Sequence, residues 1–326
     1  MSSFPNLPAS LSSFASLSFN YSGPKFDSHV HLSSIDEIQT MLSVSDFFNI
    51  RKILGIVRGN RISELSSSFP DLFTFAHFFP MKSLFSDSPS QISSFVDDFY
   101  SQGFSVLKTW FSPRLLDYTD SHLDPDEIYF GNPRFSSLFS RMEDLGMILL
   151  THIADPDLLY ETSYQPSSKY GSKEAYLSSF ESFLSQYPRL KVIGAHLAGQ
   201  PEHLDRLSDW LTRFPNLYVD TGSAKWMARE FAYQKDKVLS FFSSFSDRIL
   251  YGTDIVSGRT NREPIPAYYY NRYLSFQALF ETDVNLPLPI PDPENDNQTS
   301  ISGLNLSSEI LDQIYWKNAS SLFKDA

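Results

Sequence analysis

The 326-residue chain contains no cysteine. That absence excludes a disulfide framework, a thiolate metal site and a cysteine nucleophile, so any metal must be held by imidazole, carboxylate or another oxygen ligand. Basic residues are outnumbered: 26 Lys and Arg against 38 Asp and Glu give a formal net charge of -12. No basic cluster offsets that field, so nucleic acid and anionic membrane surfaces are not expected as partners. No apolar run is long enough to span a bilayer. Residues 1–22 are rich in Ser and Phe but lack the basic start and continuous apolar stretch of a secretory signal, so a cytoplasmic location is the expectation. Glycine is scarce at 13 residues, and no Gly-rich phosphate turn follows a candidate strand. That weakens an open, doubly wound nucleotide-binding sheet.

What the chain has is apolar and aromatic substance, 41% and 15% of residues, enough to bury a sizeable core. Short apolar runs recur at 25–29, 52–57, 72–78, 103–110, 147–152, 191–196, 216–221 and 248–254. Their shortness and nearly unbroken apolar character suit strands buried on both faces of a parallel sheet. Between them, 34–48, 89–101, 133–145, 173–187 and 201–214 carry apolar residues at helical spacing, with Ser88 before Pro89 as a natural N-cap. Eight strand-then-helix units predict an α/β fold closed into a (β/α)8 TIM barrel. Residues 1–24 read as an N-terminal extension, 25–326 as one barrel domain, and 307–323 as a C-terminal helix. Two polar stretches, 117–131 and 285–303, interrupt the rhythm, and long loops of this kind are more often lids or mobile connectors than core.

The stretch FDSHVHL at 26–32 carries the first chemical signal. In a strand, positions i and i+2 share a face, so His29 and His31 present two imidazoles side by side. By themselves they fit the solvated face of an edge strand as well as half of a metal site. In a TIM barrel, reacting groups stand at the C-terminal strand ends. Those ends bear His29, His31, Lys108, His152, His196 and Asp254, which gathers four of the seven histidines at predicted strand ends. Such a concentration favours a metal site over chance. Near the same rim lie Arg58, Trp110, Arg114, Lys225, Trp226 and Arg259; an arginine there can hold a carboxylate bidentately or pair with a neighbouring acid. His77 ends the third run with no assigned role, and none is assigned to His122 or His203.

With FDSHVHL followed by LLTHIAD, VIGAHLAG and LYGTDI, the chain resembles the metal-dependent amidohydrolase superfamily. It is most similar to the amidohydrolase-related branch that includes aminocarboxymuconate-semialdehyde decarboxylase and pyrone-dicarboxylate lactonase. The resemblance implies that His29, His31, His152 and Asp254 hold a divalent ion. Zinc leads, with manganese or iron as alternatives. It further implies that Asp254 can take a proton from the attacking water and that His196 activates this water or polarises substrate. Lys108 becomes a ligand only if carboxylated. Trp110, Arg114, Arg58 and Arg259 are the substrate-facing candidates. The expected function is a metal-dependent hydrolase acting on an ester, lactone or amide carbonyl of a small, in some cases carboxylate-bearing, molecule. The alternatives are non-oxidative decarboxylation and, of another class, a non-catalytic metal- or ligand-binding barrel. A homodimer is one assembly this reading allows.

Overall fold

The first strand, β1 (Lys25–His31), is almost wholly buried and is the organising element of its part of the molecule. On one side it pairs in parallel with β2 (Ile50–Val57). Two short strands near the end of the chain are β8 (Ile249–Leu250) and β9 (Ile255–Val256). The second of these pairs in parallel with β1 on its other side, through Val30 opposite Ile255 and His31 opposite Val256. β1 is thus flanked in parallel by β2 and β9. This computed structural model describes residues 9–119, 123–258 and 265–324; Arg259 and His122 lie outside the described residues.

Between these come β3 (Phe73–Phe78), β4 (Val106–Trp110), β5 (Ile148–His152), β6 (Lys191–Gly194) and β7 (Leu217–Asp220). Consecutive members pair in parallel from β3 through β7. Parallel neighbours need crossovers, and helices supply them. The helix Pro89–Ser101 starts as the sequence predicts: the Ser88 side chain accepts from Gln91 N–H and Pro89 stands in the first turn. The helix Lys173–Gln186 buries Tyr176, Leu177, Phe180, Phe183 and Leu184, worth roughly 1.5–3 kcal/mol per large apolar side chain.

Several boundaries differ from the sequence expectation. Of the expected strand 248–254 only Ile249–Leu250 is a strand, and β9 begins beyond the run, directly after Asp254 at φ 56. The run 191–196 stays extended only to Gly194, and His196, Leu197 and Ala198 then adopt φ of 58, 53 and 54, followed by Gly199 at 71. The helix expected from Pro201 starts at Leu204, since His203 is not helical. Neither polar interruption is a bare loop. Phe130, in the first, is buried with its ring 4.5 Å from Phe111 and 5.0 Å from Phe180. The second forms an antiparallel pair, β10 (Asn285–Pro287) with β11 (Ser300–Ser302), and sends buried Asp292 to Arg229 at 3.0 and 3.1 Å.

The chain divides into two compact units, one built from residues up to 56, 63–74 and 221 onward, the other from 57–62 and 75–220. In the first, the N-terminal segment packs inward: Leu11 and Phe14 are buried, and the Tyr21 ring lies 5.2 Å from Tyr315. Buried Lys25 donates to Glu281 at 2.6 Å, and the Tyr315 hydroxyl donates to the same carboxylate at 3.0 Å. Burial lowers the Lys25 pKa, and the Glu281 charge opposes that shift. In the second unit, His77 is stacked on Phe99 at 3.8 Å and its Nε2 accepts from Gly59 N–H at 3.2 Å. Burial first, with the Arg58 charge adding to it, pulls its pKa down to about 4, so this histidine is a neutral core residue at pH 7. Among the described residues, no helix is long and apolar enough to cross a membrane.

Candidate active site

In the first unit, β1 and the turn between β8 and β9 bring three donors together. His29 Nε2 and His31 Nε2 each lie 3.4 Å from Asp254 Oδ1. His29 is fully buried, whereas His31 and Asp254 keep 25% and 31% side-chain exposure, which leaves one side of the group open to an incoming molecule. All three donor atoms lie within 4.8 Å of one another. A tetrahedral ion with bonds of about 2.1 Å holds its ligand atoms about 3.4 Å apart, so the observed spacing suits a zinc-sized ion. The donor chemistry suits it too, two imidazoles and a carboxylate, with no thiolate required.

The sequence pointed to these three but not to the group behind them. Asp27, two residues before His29, is fully buried and accepts from Thr253 N–H and Thr253 Oγ1. It sits inside the FDSHVHL motif, where β1 shifts register against β2 between Asp27 and Val30.

In the second unit, register does the gathering. Lys108 stands opposite Leu150, Trp110 opposite His152, Leu150 opposite Ile193, and Ile193 opposite Tyr218. With a period of two, Lys108, Trp110, His152 and Asp220 therefore project to one face. The rings confirm the proximity: His152 is 6.5 Å from Trp110 and 4.6 Å from His196. Lys108 is buried.

His152 Nε2 lies 2.8 Å from Oδ1 of buried Asp155, whose other oxygen accepts from the Tyr164 hydroxyl. Burial would raise the Asp155 pKa. The His152 charge and the hydrogen bonds from His152 and Tyr164 outweigh it and hold the carboxyl below its ordinary value. An ionised carboxylate only accepts, so Nε2 carries the proton and Nδ1 is the nitrogen that can coordinate or take up a proton. His196 is set by the left-handed run described above, and its backbone N–H donates to buried Asp220 at 2.8 Å. Asp155, Tyr164 and Asp220 went unremarked in the sequence. Asp155 sits within LLTHIAD, while Tyr164 and Asp220 give no motif signal of their own.

The rim candidates divide. Trp110 also faces Tyr118 at 5.6 Å, and the charge of exposed Arg114 acts on Tyr164, opposing the rise that burial and Asp155 give its pKa, which places both beside the His152 group. Arg58 lies over the Phe78 ring at 4.1 Å. Lys225 bonds Glu294, which makes it part of the Arg229–Asp292 network in the first unit. A second cluster of possible donors, Asp157, Glu202 and His203, already holds a cation: the Lys173 ammonium is 2.8 Å from Asp157 and bonds Glu202.

Comparison with known proteins gives the family. The amidohydrolase family model matches residues 102–324, more than half of the chain. The chain belongs to the amidohydrolase family. Its fold is similar to that of a protein from Pseudomonas putida described as a candidate 2-pyrone-4,6-dicarboxylic acid hydrolase. Identity there is 12%, with 92% of this chain and 97% of that chain covered and a TM-score of 0.51. A candidate amidohydrolase from Staphylococcus aureus is similar at 12% identity, with 93% and 100% covered and a TM-score of 0.52. A 5-carboxyvanillate decarboxylase from Sphingomonas paucimobilis matches at 11% identity, with 90% and 99% covered and a TM-score of 0.46. The Pseudomonas putida and Staphylococcus aureus matches show likeness of fold. No curated protein sequence matches the chain.

Proposed function

We propose that the chain is a metal-dependent hydrolase whose residues 25–326 act as one (β/α)8 catalytic domain. The observation that carries this reading is the approach of His29 Nε2 and His31 Nε2 to Asp254 Oδ1 at 3.4 Å, the ligand spacing of a tetrahedral ion. The pairing of β1 with both β2 and β9 supports closure of the barrel. Zinc is the first candidate, then manganese or iron.

Bound there, a divalent ion supplies Lewis acidity and lowers the pKa of a bound water. The chain's own residues do the rest. Asp254 Oδ2 takes the proton of the attacking water, a task suited to a partly exposed carboxylate. His152 contributes Nδ1 as a further ligand, its ring fixed by the Asp155 bond at Nε2. His196 polarises the substrate or moves a proton. Lys108, buried in β4, supplies an oxygen ligand only if carboxylated and otherwise faces substrate as an amine. Trp110 offers a flat apolar wall, and Arg114 offers a bidentate partner for a substrate carboxylate. Arg58 and Arg259 are further substrate-binding candidates. The substrate is a small ester, lactone or amide.

Incubating the metal-loaded chain with lactone, ester and amide panels beside aromatic and muconate-type acids tests the reaction class. Acid release from the first group supports hydrolysis. Turnover of the acids alone, with CO₂ release, makes the chain a decarboxylase. Turnover of neither, with metal tightly held, makes it a binding protein.

A further inference from the structure

Asp254 occupies a costly backbone position. Its φ of 56 is the left-handed region, which an L-residue rarely adopts unless its surroundings enforce it. The enforcing bonds lead to one residue. The Asp254 N–H donates to His29 O at 2.8 Å. On the preceding residue, Thr253 N–H donates to Asp27 Oδ1 at 3.0 Å and Thr253 Oγ1 to Asp27 Oδ2 at 2.7 Å. On the following residue, Ile255 N–H donates back to Thr253 Oγ1 at 3.3 Å. Asp27 Oδ1 also accepts from His29 N–H at 3.3 Å. One buried carboxylate therefore ties down the backbone of the histidine strand and, directly or through the Thr253 hydroxyl, both neighbours of Asp254.

We propose that Asp27 is a positioning residue for the metal centre: by gripping Thr253 it holds the left-handed turn that delivers Asp254 to His29 and His31. This inference rests on the metal reading of those three residues. Asp27 acts as a hydrogen-bond acceptor, and its oxygens meet Thr253 and His29 N–H. The requirement is therefore geometric: any residue that keeps an acceptor towards Thr253 N–H and a partner for the Thr253 hydroxyl preserves the turn. An asparagine does so, with its amide N–H donating to a hydroxyl that can accept. An alanine leaves the Thr253 donors unpaired.

The test uses the full chain with Zn²⁺ and Co²⁺ as probes. Affinity is read by chelator competition, ligand geometry by the Co²⁺ visible spectrum, and folding by thermal denaturation of the metal-free protein. Asp27→Ala and Thr253→Val are expected to weaken Zn²⁺ binding on the order of 10–100-fold and to alter the Co²⁺ spectrum. Asp27→Asn and Thr253→Ser are expected to stay within a few fold of the unmodified chain. Should Asp27→Ala not fold, the Thr253→Val and Thr253→Ser pair decides. Unchanged affinity and spectrum in Asp27→Ala and Thr253→Val overturn the inference while leaving the metal reading intact. Asp27→Asn as weak as Asp27→Ala also overturns it, because charge rather than geometry would then be the cause. Failure of the unmodified chain to take up either ion overturns the metal reading and this inference with it.

Discussion

His152 donates from Nε2 to the buried carboxylate of Asp155 at 2.8 Å, and that single bond decides which edge of the imidazole is left for chemistry. In the neutral imidazole, a proton held on Nε2 leaves the lone pair on Nδ1. Asp155→Ala is expected to free the ring to exchange tautomers, visible as loss of the fixed Nε2–H signal in imidazole ¹⁵N NMR. It should also lower kcat/KM or metal affinity on the order of 10–100-fold. Tyr164→Phe, which keeps the carboxylate, should do less. An unchanged NMR signature in Asp155→Ala would remove Asp155 from this role.

His77 gives a pH dependence whose sign follows from its burial. Its folded pKa of about 4 lies below the ordinary value of 6.5. As pH falls from about 6.5 towards 4, the unfolded chain takes up a proton that the folded chain refuses, so stability is lost across that window and is flat above it. Urea denaturation at pH 7 and pH 5 should show a smaller drop for His77→Phe than for the unmodified chain, by about 1–2 kcal/mol. Equal drops would mean the imidazole can charge in place.

Lys25 and Glu281 form a buried pair at 2.6 Å. Removing one partner strands the other's charge, so Lys25→Met is expected to cost about 3–5 kcal/mol. The double substitution Lys25→Met with Glu281→Gln should recover most of that, since Gln still accepts from Tyr315. Denaturant melts of the single and double variants give the coupling directly, and additive losses would contradict it.

Gly199 ends the left-handed run that carries His196, at φ 71, and a Cβ there would collide with Ala154 O and Cβ. Gly199→Ala is expected to destabilise by more than about 1 kcal/mol and to displace His196 relative to His152. Thermal denaturation reads the first effect. Loss of ring-current shifts between the two imidazoles, now 4.6 Å apart, reads the second.

Periodicity carried much of this architecture in the sequence. Buried parallel strands are continuous apolar runs, so β1 to β7 fall where those runs lie, and His29 with His31 follows from strand alternation alone. The hidden parts are those set by backbone turns and tertiary bonds. The left-handed backbones at Asp254 and at His196 to Ala198 are not glycine, so no residue type announces them. Asp27, Asp155 and Asp220 are legible as acids. The bond of Asp27 to Thr253 spans 226 positions and that of Asp220 to His196 spans 24, whereas Asp155 lies within three residues of His152 and shows its service only once the turn after β5 is folded. The polar stretches 117–131 and 285–303 look like lids by composition because their buried anchors, Ile128 and Phe130 in the first and Ile290, Asp292 and Ile301 in the second, are scattered among polar residues.

The central claim is that His29, His31 and Asp254 hold a divalent ion. Elemental analysis of the purified chain, exchanged against limiting Zn²⁺ and compared with His29→Ala/His31→Ala and Asp254→Asn, tests it most directly. The account predicts about one tightly held ion per chain in the unmodified protein, none in the double histidine variant and weakened binding in Asp254→Asn. An unmodified chain that binds no ion, or a double variant that keeps its full complement, would contradict it.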